Sequence, residues 1–203
     1  MKKVLTATLI TIACLSAQAQ ESNWRIFAGV GYADGGETIA SGTITNEKTK
    51  SVLPFQIKSG TGFQQRIGAE YRLSPQFTLQ GSIGHSANSP MGYDGSIDFT
   101  VVPVEIMGFL ETGSGFRLGA GLRQSNAELR GTGKAADVAL NGSSAGKPGT
   151  VVEIQYLFQN GPSRANKSVP QFGLTLRGVN EVFSTAWGDL KGDNYEIGVV
   201  LYY

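Results

Sequence analysis

The last nine residues of this 203-residue chain constrain its fold more than any other segment. From position 195 to 203 the side chains alternate strictly, with Glu196 and Gly198 on one face. Because successive side chains of a strand point to opposite sides, this alternation predicts a β-strand with one apolar face. That face ends on an aromatic residue and comprises Tyr195, Ile197, Val199, Leu201 and Tyr203.

The same alternation recurs seven times upstream, so the sequence predicts eight strands. Each earlier segment sets bulky apolar residues against Gly, polar and charged ones. Pro103 interrupts the fourth segment, and a proline inside a strand usually marks an edge or a bulge. The seven segments are about 24–33, 63–73, 77–84, 98–110, 116–123, 152–158 and 171–181.

The predicted connections alternate in length. They are short at 74–76 and 111–115, intermediate at 159–168, and long at 34–62, 85–97, 124–149 and 183–194. Alternating faces fit a soluble barrel with an apolar interior and equally a membrane barrel with a polar interior. The short and long connections favour the membrane barrel, as do aromatic residues at the ends of the apolar faces. A lipocalin-like soluble barrel is the alternative, although its Gly-x-Trp signature is absent. The aromatic residues are Trp24, Tyr32, Tyr71, Phe77, Phe116, Tyr156, Phe172 and Tyr203.

The N-terminus predicts export. Lys2 and Lys3 precede a short apolar stretch over 4–15, and an Ala-x-Ala site ends at Ala19. This pattern is typical of a cleaved signal peptide over residues 1–19, followed by a barrel domain over 20–203. The sole cysteine, Cys14, lies in the signal, so we expect no disulfide in the mature chain. Lipidation of Cys14 is the alternative, but Thr11 stands where a leucine is usual.

Composition excludes two other classes of protein. Removing Lys2 and Lys3 from the 17 basic residues leaves 15 against 16 acidic ones, so no basic surplus exists to attract nucleic acid. No apolar run is long enough for a transmembrane helix.

The export signal, the alternating segments and the aromatic closing strand resemble those of the small eight-stranded outer-membrane barrels of the OmpA and OmpX type. The resemblance covers nearly the whole mature chain. It implies a monomeric, all-β, up-and-down antiparallel barrel in a Gram-negative outer membrane, with lipid around its apolar wall. It also implies that the closing-strand residues Tyr195, Ile197, Val199, Leu201 and Tyr203 are the signal read by the barrel assembly machinery.

In a membrane barrel the charged faces point into the lumen. Because unpaired charges are costly in so narrow a space, we expect these side chains to pair or to be hydrated. One interpretation is a structural network that fills the lumen, and the other is a narrow, gated ion path. The predicted inward charges are Arg25, Arg66, Glu70, Arg72, Glu105, Arg117, Arg123, Glu153, Arg177, Glu181 and Glu196.

No constellation of residues predicts catalysis, a metal site or a cofactor. His85 is the only histidine, and Ser86 follows it directly. Outer-membrane lipid A deacylases use a His and a Ser, but adjacent strand residues point to opposite faces. We therefore expect a non-enzymatic protein that works through its extracellular loops, in a structural or surface-interaction role with an extracellular ligand. A porin-like path for ions or small solutes is the alternative, and a lipid-modifying enzyme is a weaker one.

Overall fold

The computed structural model describes residues 23–45, 52–89, 91–92, 95–132, 142–158, 170–185 and 188–203. The predicted signal peptide, its cleavage site and Cys14 lie outside this part of the chain. The strands are β1 (Trp24–Gly35), β2 (Thr38–Thr45), β3 (Val52–Lys58), β4 (Gly62–Arg72), β5 (Phe77–Asn88), β6 (Met91–Gly92), β7 (Gly95–Glu111), β8 (Phe116–Gly131), β9 (Gly142–Gly146), β10 (Gly149–Leu157), β11 (Gln171–Asn180), β12 (Val182–Thr185), β13 (Gly188–Lys191) and β14 (Asn194–Tyr202).

Eight of these strands form a closed antiparallel barrel. Around the barrel the order is β1, β4, β5, β7, β8, β10, β11 and β14, so each strand lies beside its neighbours in the chain. The barrel closes where β14 pairs with β1, with Val199 opposite Val30. The prediction of an eight-stranded, up-and-down antiparallel barrel is confirmed. Among the described residues, no helix is long and apolar enough to cross a membrane.

The outer wall is apolar and the interior is charged. Leu122 and Ile197 keep 65% and 69% of their surface exposed, whereas Arg117 is fully buried inside. A soluble barrel would have the opposite arrangement, because it buries its apolar face. The alternating faces are therefore those of a transmembrane barrel, with the apolar side toward lipid.

Aromatic pairs flank this apolar wall at the end of the barrel that carries the short turns. The rings of Trp24 and Tyr71 lie 4.9 Å apart on neighbouring strands, and those of Phe116 and Tyr156 lie 4.8 Å apart. Aromatic girdles of this kind mark the membrane interface in outer-membrane barrels. We call this end the turn end and the opposite end the mouth.

Several strands are longer than predicted at the mouth. Residues 124–131 were expected in a loop, but β8 continues through them, with Gly131 opposite Ile97 of β7. The expected loop over 34–62 contains the hairpin of β2 and β3, which forms its own two-stranded sheet. The apolar alternation stops where the strands leave the membrane, so its end does not mark the end of the strand.

The expectation for Pro103 is also wrong. Pro103 lies in β7 between two paired neighbours, β5 and β8. The β5–β7 register is the same on both sides of it, from Ser86 opposite Val101 to Ile83 opposite Val104, so there is neither an edge nor a bulge. Gly84 leaves room for the proline ring, because a Cβ there would lie 2.9 Å from the Pro103 Cγ.

Candidate functional site: the closed lumen and its mouth

Two arginines and two glutamates form the cluster at the turn end of the lumen. Arg25 Nε donates to Glu70 Oε1 at 2.7 Å, and Arg117 Nη2 donates to Glu70 Oε2 at 2.8 Å. Arg117 Nε also lies 3.7 Å from Glu111 Oε1. Each carboxylate therefore faces at least one guanidinium in a space nearly closed to water.

Tyr202 packs against this cluster from the closing strand. Its hydroxyl donates to Gln155 Oε1 at 2.9 Å and accepts from Gln80 Nε2 at 3.1 Å. The guanidinium carbons of Arg25 and Arg117 lie 4.8 and 5.3 Å from the centre of its ring, within range of cation–π attraction. Tyr202 is not among the lumen residues predicted from the sequence, although its place on the polar face of β14 is a sequence signal for it.

A larger ion-pair cluster fills the lumen above. Arg66 makes two parallel hydrogen bonds to Glu153, at 2.9 and 2.6 Å, the strongest geometry for this pair. Arg177 contacts three carboxylates: Nη1 donates to Glu196 at 2.5 Å, Nη2 donates to Glu105 at 2.6 Å, and Nε lies 3.2 Å from Glu153. Arg177 thereby joins β11 to three other strands.

Arg123 connects this cluster to the mouth. Its Nη1 donates to Glu105 at 2.9 Å, and its Nε donates to Glu181 at 3.1 Å. The same Nη1 lies 3.5 Å from Glu196 Oε1. The hydroxyl of Ser125 donates to Glu181 at 2.6 Å and completes this end of the network. Glu105, Glu153 and Glu196 each face two arginines of this cluster, so the loss of one arginine removes part of the compensation of several buried carboxylates.

One predicted inward charge lies outside the network, and one member of the network was missed. Arg72 is half-buried at the turn end of β4, opposite Thr78, and has no ion pair with the described residues. Glu111 is buried and contacts Arg117, although the sequence pattern predicts a turn at this position. It continues the inward positions of β7, which is the signal that would have identified it.

The space left between these side chains is small. A cavity of about 20 Å³ lies beside the upper cluster, and four glycines, which have no side chains to fill it, form part of its lining. A single water molecule requires a cavity of roughly 10–15 Å³, so this one has room for about one water. Its lining includes Gly29, Gly31, Gly84, Gly198, Arg66, Glu105, Arg123, Arg177 and Glu196.

Apolar side chains close the mouth above the charges. Ile57 of the β2–β3 hairpin is fully buried in one cluster with residues of β7, β8 and β12. The rings of Phe99 and Phe183 pack edge to face, with centroids 6.1 Å apart. This mouth cluster comprises Ile57, Ile97, Phe99, Val101, Ala127 and Phe183.

Backbone hydrogen bonds join the base of the hairpin to the residues that precede β14, the strand that pairs with β1 where the barrel closes. Gly36 N donates to the Asp193 carbonyl at 2.6 Å, and Glu37 N donates to the Lys191 carbonyl at 2.9 Å. Glu37 Oε2 in turn accepts from Lys191 N at 3.0 Å. The hairpin is thus fixed at its base as well as through Ile57.

The remaining sequence candidates lie on the outer wall. His85 is exposed on β5, whereas Ser86 points inward and accepts from Gln64 Nε2 at 2.7 Å, so the two do not form a shared site. No cluster of His, Cys, Asp or Glu suited to a metal ion occurs in the part of the chain that the structure describes. The outward face of β14 carries Tyr195, Ile197, Val199, Leu201 and, at its end, Tyr203.

Comparisons with known proteins show the fold and nothing finer. No protein-family model and no curated sequence matches this chain. Ail, the attachment invasion locus protein of Yersinia pestis, solved in complex with the heparin analogue sucrose octasulfate, aligns with a TM-score of 0.54 and 9% identity, covering 90% of this chain and 99% of that one.

Two further structures extend the comparison. A second structure of Ail gives a TM-score of 0.52 and 10% identity, with the same coverage of 90% and 99%. Neisserial surface protein A gives 0.49 and 15% identity, covering 89% of this chain and 96% of that one. The likeness to Ail agrees with the closed eight-stranded barrel described above: this chain has the fold of the small outer-membrane β-barrels.

Proposed function

We propose that this protein is an integral barrel of a Gram-negative outer membrane with a closed lumen, acting in a structural or surface-interaction role through the part beyond the mouth. Export by a cleaved signal peptide and insertion by the barrel assembly machinery, which reads the closing strand, belong to the same proposal. The filled lumen is the observation that carries it. It leaves the outer surface and the mouth as the places where function can be exercised.

The closure has two physically different layers, and both argue against a pore. An ion entering from the mouth would first cross the apolar side chains around Phe99 and Phe183, where it loses its hydration. It would then have to displace buried guanidinium groups such as Arg177, which is held by three carboxylates. A cavity with room for about one water offers no continuous path between these layers.

Purified protein in planar lipid bilayers should therefore show no stable open channel. A large open porin inserted under the same conditions is the positive control for membrane formation and recording. An Ile57→Ser variant, which loosens only the mouth cluster, should also stay closed, because the ion pairs beneath it are intact. Regular unitary openings of the unmodified protein would support the narrow pore and overturn the proposal.

The portion beyond the mouth is well placed for contacts outside the cell. β7 and β8 continue above the apolar band as a paired ribbon, and β9, β12 and β13 extend that sheet. Exposed ion pairs such as Glu128–Arg130 and Lys147–Asp189 lie on the surface of this portion. Surface segments held on a rigid barrel commonly carry binding.

The orientation in the membrane can be tested directly. We expect protease-cleavable tags inserted between β2 and β3, or between β8 and β9, to be cut when intact cells are treated with protease. A tag in the 73–76 turn should be protected until the outer membrane is opened, because short turns face the periplasm. Cleavage of the turn tag alone in intact cells would reverse the proposed topology.

A further inference from the structure

The upper ion-pair cluster carries more negative than positive charge. Within the part of the chain that the structure describes, its ion pairs join three arginines to four glutamates, and none of the seven side chains keeps more than 10% of its surface exposed. An excess charge is costly where water is excluded, so this cluster requires a counter-charge. Its members are Arg66, Arg123, Arg177, Glu105, Glu153, Glu181 and Glu196.

Glu181 is the least compensated of these carboxylates. Its Oε2 accepts from Arg123 Nε at 3.1 Å and from the Ser125 hydroxyl at 2.6 Å. Arg123 is the one cation that it contacts among the described residues, whereas each of the other three glutamates faces two arginines. No hydrogen bond from a described residue reaches its second oxygen, Oε1. The excess charge of the cluster therefore lies at Glu181.

A buried acceptor without a donor lies beside Glu181. Asn194 is 4% exposed on the inward face of β14, and its Oδ1 has no hydrogen-bond partner among the described residues. Its Nδ2 donates to the Gly192 carbonyl at 2.9 Å, and Gly192 N donates to the Glu181 carbonyl at 2.8 Å. A Cβ on Gly192 would lie 2.9 Å from Glu181 Cγ, so Gly192 lies against both side chains. Because buried acceptors are nearly always paired, this arrangement indicates a donor that an ionised Glu181 cannot supply.

We propose that Glu181 binds one proton in the folded barrel and that its Oε1–H donates to Asn194 Oδ1. The proton is taken from the solvent as the barrel folds and returns to the solvent when the barrel unfolds. It leaves three ionised glutamates to balance three arginines, and it supplies the donor that Asn194 lacks. Oε2 remains the acceptor for Arg123 and Ser125.

A proton fits this position better than a metal ion does. The cavity beside the cluster has neither Glu181 nor Asn194 in its lining, and a proton needs no cavity. No group of His, Cys, Asp or Glu within the described residues is arranged to hold a metal ion. The counter-charge is therefore a proton on one of the two oxygens of Glu181.

Two acidic neighbours favour the neutral form of Glu181. Asp193 Oδ1 accepts from Glu181 N at 3.1 Å, and Glu196 contacts the same Arg123 as Glu181 does. Arg123, on β8, is the opposing cation, but it is shared among three carboxylates. The β10 residue that packs against Glu181 is Gly149, which carries no charge.

The proton also connects the charged lumen to the apolar mouth. Glu181 lies two residues before the fully buried Phe183, and Gly192 lies against both side chains. A negative charge left on Glu181 would therefore weaken the lumen where the mouth cluster begins. Protonation of Glu181 rests on the closed lumen of the proposed function and gives that lumen a dependence on pH.

Glutamine in place of Glu181 reproduces the protonated form, because it has nearly the same shape and cannot ionise. We would follow urea unfolding in phospholipid vesicles from about pH 6 to about pH 9, where the glutamates of an unfolded chain are ionised. If unfolding releases one proton, the unfolding equilibrium constant of the unmodified barrel should rise by up to about tenfold per pH unit. Glu181→Gln should abolish this rise. Glu128→Gln, the same change on a side chain that is 46% exposed beyond the mouth, should retain it.

Glu181→Gln should match the stability of the unmodified barrel at the acid end of this range and exceed it at the alkaline end. His85, the only histidine, is present in all three proteins, so its titration cancels in the comparison. A Glu181→Gln barrel that is less stable than the unmodified one throughout the range overturns the proposal, because the carboxylate is then ionised. A rise that persists in Glu181→Gln, or that is missing from the unmodified barrel, overturns it as well.

Infrared spectroscopy provides a second measurement that does not require unfolding. A protonated carboxyl group has a C=O stretching band that is separate from the bands of a carboxylate, and a detergent without carbonyl groups leaves that region clear. At neutral pH we expect this band in the unmodified barrel and in Glu128→Gln, and its loss in Glu181→Gln, with heat-modifiable migration on gels showing that all three are folded. The absence of the band from the unmodified barrel, or its persistence in Glu181→Gln, overturns the proposal. Conductance in planar bilayers is measured separately, so the closed lumen can stand even where the proton fails.

Discussion

Replacing Arg177 with alanine is expected to lower the free energy of unfolding of the barrel by about 3–5 kcal/mol, the range measured when one partner of a buried pair is removed. Arg177 is buried and contacts Glu105, Glu153 and Glu196. The variant would leave these three carboxylates close together with one cation fewer. Urea unfolding of the protein in phospholipid vesicles, followed by tryptophan fluorescence, measures the shift of the midpoint.

Arg130 supplies the matched control. Its side chain is 70% exposed and pairs with Glu128 beyond the mouth, where water and salt screen the interaction. Arg130→Ala removes the same atoms as Arg177→Ala, but it should leave the unfolding midpoint nearly unchanged. Equal and negligible shifts for the two variants would show that the lumen is wet, and conductance of Arg177→Ala would then reveal whether it also conducts.

A second comparison separates charge from packing in the lumen. Arg66 and Glu153 face each other through two hydrogen bonds. Glu153→Gln keeps the shape of the side chain but removes its charge, so Arg66 and Arg177 lose a shared carboxylate. We expect it to destabilise the barrel, in the same vesicle assay, by less than Arg177→Ala, because no group of buried carboxylates is left behind. A larger loss for Glu153→Gln would indicate that shape rather than charge governs the network.

The sequence predicts which charged residues line the lumen, but it does not predict which of them form ion pairs with one another. Period-two alternation places Glu105, Glu153 and Arg177 on the polar faces of their strands, and in a membrane barrel those faces point inward. Which of them meet depends on the register of every strand around the closed barrel. Glu153 bonds to Arg66, 87 positions away, and no local pattern carries that information.

The closed mouth could not be predicted because two of the residues that complete it come from short segments. Ile57 and Phe183 lie in strands of seven and four residues, within stretches that the sequence analysis assigned to loops. Alternation needs several repeats before it stands out, and tertiary packing rather than periodicity fixes these side chains. Pro103 shows the same limit: the local rule predicts an edge, but the space left by Gly84 allows a continuous strand.

A charge introduced on the outer wall should destabilise the barrel, as the removal of a charge from the lumen does. Val199 lies in the middle of the outward face of β14, opposite Val30, with 47% of its surface exposed to the surroundings of the barrel. If those surroundings are lipid, Val199→Arg should cost about 2–4 kcal/mol, the range for an arginine near the bilayer midplane. The same vesicle unfolding assay measures it.

Val52 is the control that makes this result specific to lipid. It is also an exposed valine on a strand, at 56%, but it belongs to the hairpin at the mouth rather than to the barrel wall. Val52→Arg makes the same chemical change in water and should leave the unfolding midpoint nearly unaltered. Similar small effects at both positions would mean that the wall around Val199 does not face a hydrocarbon interior, and the membrane assignment would fail.

Deleting Tyr203 tests a different property of the same strand. Tyr203 lies one residue beyond the end of β14, yet its backbone N–H donates to the Ile26 carbonyl at 2.9 Å and its carbonyl accepts from Ile26 N at 3.1 Å. The deletion removes two hydrogen bonds and one interfacial ring, so refolding into vesicles should weaken only modestly. If the closing strand is read by the assembly machinery, the amount of heat-modifiable barrel in cells should fall far more than the refolding yield. Parallel losses in the two measurements would assign Tyr203 to stability alone, because a recognition signal acts only where the machinery that reads it is present.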